Sequence, residues 1–318
     1  MPAEFVSGYC VREPAWHGLA TVIDHYPGRE EAMRLAGHNW TVSKQPIYLP
    51  SLNCVDGWKA ITRDDTSQVL AVVRSSYTPI QNGALWDIID ALVQQPNVKY
   101  ETAGVLRGGA TLWVLARLDE PYVVPGDNTP TFPYIFAGTS HDGSRATECG
   151  ALAVRIVCWN TYQAGAEQSR RAGTYFKFRH TANVMERIED AREALAGVRS
   201  QFAEFKEMVS ELAQLPVKRP GVELFVRTFI PDPELDSGTE RTMNWIEEQR
   251  LTLRSMIENG RTVPDAHRQT AYGLYCAGIE FLDHERRYRS NETYFRRTVE
   301  PSRLKTKVVE LAQLAAKE

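Results

Sequence analysis

The sequence has no apolar run long enough to cross a membrane, and its first residues do not predict a secretion leader. A helix that spans a bilayer needs ~20 consecutive apolar residues, and none of the apolar runs approaches that length. The first residues, MPAEFVSGYCVREPAWHG, have neither the basic start nor the apolar stretch of a signal peptide. We therefore expect the protein to stay in the cytoplasm in which it is made.

Cysteine is scarce, with five residues in a chain of 318 and no C-x-x-C pair. An odd number of scattered cysteines is typical of reduced, mostly structural thiols and not of a disulfide framework. One imaginable zinc site has a spacing that matches no known pattern; its four ligands would be His141, Cys149, Cys158 and His180. We therefore expect no metal and no cofactor.

The common motifs of nucleotide binding and hydrolysis are also absent. There is no G-x-x-x-x-G-K-[ST] loop, no G-x-G-x-x-G after a strand, no H-E-x-x-H and no G-x-S-x-G. The acidic pair Asp64-Asp65 is typical of a turn, and 283–285 (Asp-His-Glu) of a helix surface. A metal-dependent nuclease would need several convergent carboxylates, a class that the sequence leaves open. We assign no catalytic residue and favour a protein that is not an enzyme.

The chain has no excess of positive charge, and its formal net charge is −3. That balance excludes a uniformly basic surface for nucleic acid but allows a local basic groove. One stretch, between Glu167 and Glu186, contains no acidic residue. It combines cations with aromatic or imidazole rings: Arg170, Arg171, Lys177 and Arg179 with Tyr175, Phe176, Phe178 and His180.

The alternation within 175–179 predicts a strand with Phe176 and Phe178 on one face and the cations on the other. One interpretation is an ordinary half-buried edge strand with a wet basic face. The other is a groove wall that follows a phosphate backbone, beside an aromatic ring on which bases stack. A second basic and aromatic region spans 286–307. It also has a structural and a functional interpretation: a solvated helix face or a nucleic-acid contact.

The first half of the chain predicts strands with a few helices. A helix ends at Gly37, a second begins at Asn82 as its cap, and a hairpin turns at 107–109 (Arg-Gly-Gly). Further strands are predicted at 40–49, 68–75, 131–139 and 146–158, and Asn160-Thr161 are predicted to cap a following helix. Sequential strands joined by tight turns favour an antiparallel sheet.

The second half changes to helical patterns. A heptad seam over 184–213 predicts a long helix, which either packs within the chain on a helix at 265–288 or forms a subunit interface. More helices are predicted at 238–259 and 302–316. We predict an α+β fold, with an antiparallel sheet and flanking helices in a hairpin–strand–strand–helix core. The sheet domain spans 1–181, and a region of long helices, packed on it, spans 182–318.

Several short motifs, in this order, resemble the phage/plasmid-like proteins, a family of unknown function carried by bacteriophages and plasmids. They are A-W-H-G-L (15–19), Y-T-P-I-Q-N (77–82), S-H-D-G-S (140–144), V-R-I-V-C-W-N-T (154–161), R-H-T (179–181) and A-Y-G-L-Y-C-A-G-I-E-F-L-D-H (271–284). The last motif has Cys276 where the family pattern suggests asparagine, so no role of that asparagine is carried over. The mobile-element setting implies DNA metabolism. The order of elements is also similar to the β-β-β-α core of phage single-strand annealing proteins.

The resulting hypothesis is a homo-oligomeric protein of the host cytoplasm that binds single-stranded DNA and promotes ATP-independent annealing in recombination. The stacking ring would be Trp159 or Tyr175, and Asn160 would bind a phosphate or cap a helix. The phosphate contacts would be Arg145, Arg155, Arg170, Arg171, Lys177, Arg179 and His180. The alternative is an accessory protein that binds a host or phage protein through its long helices.

Overall fold

The computed structural model shows an α+β fold with two sheets and seven helices among the residues it describes. It describes residues 5–12, 20–93, 98–155, 160–162, 176–184, 186, 198–233, 239–282 and 303–318. The prediction of an α+β fold is confirmed.

The centre of the large sheet is an antiparallel meander of four long strands. In chain order the members of the sheet are β1 (Phe5–Val11), β2 (Thr21–Ile23), β6 (Val98–Leu106), β7 (Thr111–Leu118), β8 (Thr131–Ser140), β9 (Thr147–Arg155), β10 (Asn160–Tyr162) and β11 (Phe176–Phe178). The spatial order is β10-β9-β8-β7-β6-β1-β2, and β11 also pairs with β9. The pair β1–β2 is parallel, with Tyr9 beside Thr21. The sheet is therefore mixed, and the prediction of a purely antiparallel sheet is corrected.

A second, antiparallel sheet has the order β3-β4-β5. Its strands are β3 (Val42–Tyr48), β4 (Cys54–Arg63) and β5 (Val69–Arg74). The strands predicted at 40–49 and 68–75 are β3 and β5. Strand β4 was not predicted, because the exposed Asp56 and Gly57 interrupt its apolar pattern.

Two helices, α1 (Arg29–Ala36) and α2 (Asn82–Val93), pack on one face of the large sheet. Helix α1 ends as predicted at Gly37, which has a φ of 77° and donates its N–H to Arg34. From α2, three apolar side chains are buried in the same core as strands β6 to β8: Leu85, Ile88 and Ile89. Each such side chain contributes about 1.5–3 kcal/mol of burial free energy.

Two predicted helix caps are wrong. Helix α2 does begin at Asn82, but the side chain of Asn82 donates to the carbonyls of His38 and Trp40 instead of capping the helix. The residues Asn160 to Tyr162 form β10, and Asn160 pairs with Arg155 of β9. Residues 156–158 of the predicted strand lie outside the described residues.

The second half contains the helices α3 (Val198–Gln214), α4 (Arg219–Phe229), α5 (Glu240–Asn259), α6 (Ala271–Glu280) and α7 (Arg303–Ala315). The heptad residues Phe202, Val209 and Leu212 are buried in one cluster with α6, so this part of the seam packs within the chain. Val184, at the start of the seam, is buried in the core of the large sheet, and residues 187–197 lie outside the described residues. The helix predicted over 265–288 starts only at Ala271, after a single turn at Asp265–His267.

Helix α4 was not predicted, because Pro216 and Pro220 indicate a break. Pro220 instead lies in the first turn of α4, where a missing N–H removes no helical hydrogen bond. Pro216 therefore lies between α3 and α4, whereas Pro220 belongs to the start of α4.

The loop between β7 and β8 joins the sheet to the helices. Tyr272 donates its hydroxyl to Asp127 at 2.9 Å, and Nε2 of His267 lies 2.7 Å from the carbonyl oxygen of Pro125. The hydroxyls of Tyr122 and Ser210 also form a hydrogen bond. These contacts fix the loop on α6 and α3.

Candidate anion-binding site

The turn between β8 and β9 is held by its own polar side chains. A carboxylate oxygen of Asp142 accepts hydrogen bonds from the N–H and the hydroxyl of Ser144, at 2.9 and 2.5 Å. The hydroxyl of Ser140 accepts from the N–H of Arg145 at 3.0 Å. Gly143 has a φ of 72°, which favours glycine at this position. The turn therefore presents Arg145 in a fixed position.

Strand β11 lies beside β9 and shows the predicted alternation. Phe178 is buried, whereas 61% of the Lys177 side chain is exposed. Lys177 lies directly opposite Glu148, and Phe178 opposite Thr147. Directly opposed residues of neighbouring strands project from the same face. The register therefore brings Lys177 to a carboxylate of β9.

The turn, the start of β9 and β11 surround a cavity of about 490 Å³. Three cations line it, Arg145, Lys177 and Arg179, together with one carboxylate, Glu148. Three positive charges against one negative charge leave a net charge of two. The cavity therefore favours an anion.

Glu148 contacts two of the three cations. Its carboxylate lies 2.5 Å from Nζ of Lys177 and 3.4 Å from Nη2 of Arg145, and only 3% of the side chain is exposed. Arg179 is exposed and forms no ion pair with any residue in the described ranges. Arg179 is thus the cation most available to a ligand.

Two stacked rings complete the wall. The rings of Tyr77 and His180 lie 4.7 Å apart at 9°. The hydroxyl of Tyr77 donates to the carbonyl oxygen of Ser140, and Nδ1 of His180 lies 3.3 Å from the carbonyl oxygen of Thr78. Burial lowers the pKa of His180, so this ring is neutral near pH 7. His180 therefore lines the cavity, as a predicted phosphate contact should, but as a neutral polar ring that adds no positive charge.

A buried network lies behind this turn. Both N–H groups of Asn82 donate to carbonyls, so its oxygen accepts from Nε2 of His141 at 2.8 Å. Trp86 can only donate, so Nδ1 of His38 accepts from it at 3.0 Å and Nε2 of His38 donates to Gly104. Burial lowers the pKa of His38 to about 4 and that of His141 to about 3. Both imidazoles are therefore neutral in the fold.

Of the ten predicted site residues, four line the cavity: Arg145, Lys177, Arg179 and His180. Two others, Arg155 and Asn160, pair through their backbones in β9 and β10. The remaining four lie outside the described residues: Trp159, Arg170, Arg171 and Tyr175. Residues 286–302 of the second basic region also lie outside them, and Lys307 is exposed on α7.

Sequence reasoning missed Tyr77 and Glu148, although both line the cavity. The signal for Tyr77 was its place in the Y-T-P-I-Q-N motif. No sequence pattern pointed to Glu148, because its contact with Lys177 depends on the register between β9 and β11. Within the ranges that the structure describes, no three histidine, cysteine or acidic side chains cluster as a metal site.

None of the helices within these ranges combines the length and the apolar character that crossing a bilayer requires. One family model matches residues 69–304, more than half of the chain, and it describes a domain of unknown function (DUF932). No curated protein and no solved structure matches the chain. Strands β1 to β4 precede the matched range, whereas every lining residue of the cavity falls inside it. By this match, the chain belongs to the DUF932 family.

Proposed function

We propose that the protein binds single-stranded DNA through this cavity and acts, without being an enzyme, in the DNA metabolism of a mobile genetic element. The observation that supports this most is the convergence of Arg145, Lys177 and Arg179 on one cavity beside the ring of Tyr77. Cations that follow a phosphate backbone, next to aromatic rings, are typical of proteins that bind single strands.

The size of the cavity favours a single strand over a duplex. A volume of about 490 Å³ is within the range of sites that hold one small molecule, ~300–1,000 Å³. It accommodates phosphate and sugar groups of one strand, but not a base-paired duplex. Phosphate oxygens would accept charge-assisted hydrogen bonds from the guanidinium and ammonium groups, while bases outside the cavity stay free to pair.

Free base edges are what strand annealing requires. A strand that is held by its phosphates can pair with a complementary strand, and this step needs no ATP. The resemblance of the sequence to phage/plasmid-like proteins and to the core of phage annealing proteins supports this form of the proposal. Homo-oligomers would place several such cavities along one strand.

The proposal is tested with the double variant Lys177→Ala/Arg179→Ala. Both side chains are exposed, and Arg145 remains 3.4 Å from the buried carboxylate of Glu148, so the fold should survive. We expect the affinity for a fluorescein-labelled oligo-dT, measured by anisotropy, to fall at least tenfold. The matched control is Lys218→Ala/Arg227→Ala, which removes two exposed cations beside and on α4 and should change the affinity less than twofold. Equal losses in both variants would contradict a role of this cavity.

A further inference from the structure

The outer face of the small sheet carries a stacked tryptophan and arginine. Trp58 of β4 and Arg74 of β5 are directly opposite, and the guanidinium carbon of Arg74 lies 4.3 Å from the ring centroid of Trp58. Ile61 and Val73 project from the other face of this sheet into the core. The pair therefore lies on the side of the sheet that faces away from the core.

Arg74 has charge to offer a ligand. It is exposed and forms no ion pair with any residue that the structure describes. A guanidinium that stacks on an indole keeps the N–H groups at its edge free, and their planar fork suits a phosphate. Val72 is 55% exposed on the same face. The face thus combines a cation, a large ring and apolar surface.

This face is continuous with the cavity through a tight turn. The N–H of Tyr77 donates to the carbonyl of Arg74 at 2.9 Å, which places their Cα atoms within about 7 Å. Nζ of Lys44 donates to the carbonyls of Ser75 and Tyr77, at 3.0 and 3.1 Å. Lys44 of β3 therefore holds this turn from the face of the small sheet that carries Ile61, which fixes Tyr77 relative to Arg74.

The end of β5 also abuts the turn that forms the cavity. A Cβ atom built on Gly143 would lie 3.9 Å from the side chain of Val73. Strand β5 is at the edge of its sheet. A flexible chain that leaves the cavity can thus pass around this edge and reach Arg74.

We propose that the strand bound in the cavity continues around the end of β5, where Arg74 binds a phosphate and a base stacks against the Trp58–Arg74 pair. This inference rests on the proposed function, since its ligand is the same single strand. It assigns a second contact of different composition, in which stacking contributes beside charge.

The test compares two oligo-dT lengths, about four and about 16 nucleotides, the range of single-strand sites on small β-folds. In Arg74→Ala, the affinity for the long oligonucleotide should fall about tenfold, while that for the short one should change less than twofold. Lys177→Ala/Arg179→Ala should weaken both lengths. Lys218→Ala serves as the control and should weaken neither.

A second readout follows the ring itself. The long oligonucleotide should quench tryptophan emission in the wild type, and Trp58→Phe should lose part of this quenching while it keeps its melting temperature. If the wild type binds and Arg74→Ala leaves the affinity for both lengths unchanged, this inference is overturned while the proposed function stands. Failure of the wild type to bind either length would overturn the proposed function and this inference with it.

Discussion

At the scale of single residues, Glu148 sets the charge of the cavity. Its buried carboxylate contacts Lys177 and Arg145, so two of the three cations are partly neutralised before any ligand arrives. A phosphate must therefore compete with this carboxylate. The affinity of the site is lower than its three cations alone would give.

Glu148→Gln tests this competition. The amide keeps the shape but removes the negative charge, so we expect the affinity for oligo-dT to rise several-fold in anisotropy titrations. Glu223→Gln is the control, because Glu223 pairs with Arg254 between α4 and α5, away from the cavity. Weaker binding by Glu148→Gln would show instead that the carboxylate positions the cations.

The buried imidazoles predict how stability depends on pH. Their pKa values in the fold, about 4 for His38 and about 3 for His141, lie below the ~6.5 of an unfolded chain. Between these values the unfolded chain binds more protons, so protons favour unfolding. The free energy of unfolding should fall as the pH is lowered from about 6.5 to 4, by up to ~1.4 kcal/mol per pH unit for each histidine.

Urea denaturation at pH 7, 6 and 5 measures this slope. His141→Gln retains an N–H that can donate to Asn82 but removes one titrating group, so its slope should be smaller by about one proton. A free energy of unfolding that stays constant from pH 7 to 5 would contradict the neutral, buried state of these histidines.

Single residues also show what the sequence could reveal about the site. Lys177 and Arg179 were predicted because they lie in a stretch without acidic residues. Glu148 and Tyr77 reach the same cavity from distant parts of the chain, and no local pattern encodes that meeting. The neutral state of His180 depends on burial, which composition does not reveal.

At the scale of elements, local patterns predicted those parts whose signals are local. The hairpin of β6 and β7 was predicted from its glycine turn, and Gly109 there has a φ of 108°. Strand β2 has only three residues and a mostly exposed pattern, so its parallel pairing with β1 was not predictable. Asn160 and Thr161 were predicted to cap a helix, because asparagine often does so. In the structure they belong to β10, because pairing with β9 outweighs that local preference.

The packing of α4 on α7 gives a prediction at this scale. A Cβ added at Gly221 would lie 2.1 Å from the carbonyl oxygen of Ala315. Gly221→Ala should therefore lower the free energy of unfolding by about 1–3 kcal/mol, as measured by urea denaturation. In the control, Gly83→Ala in the first turn of α2, the nearest atom lies 3.9 Å from the added carbon, so the free energy of unfolding should not fall by more than about 0.5 kcal/mol. A neutral Gly221→Ala would contradict this helix contact.

The packing of α3 bears on the alternative function, in which the protein binds a partner protein through its long helices. Three seam residues of α3 are buried against α6: Phe202, Val209 and Leu212. Side chains used in this way are not available to a protein partner. This observation argues against a docking role for this part of the helix.

At the scale of the whole molecule, the net charge of −3 means that a polyanion can bind only where cations concentrate. The cavity has a net charge of two and Arg74 adds one more cation, so a strand that spans both should make about three phosphate contacts. Binding to single strands then has a salt slope of roughly −0.7 per contact, or about −2 in total. A strongly basic protein would have a steeper slope.

The most direct measurement of the central claim is the anisotropy of wild-type protein with single- and double-stranded oligonucleotides of equal length over a salt series. The account predicts tighter binding of the single strand, with a slope of the logarithm of affinity against the logarithm of salt near −2. An absence of binding at the lowest salt concentration, or a duplex bound as tightly as the single strand, would contradict it.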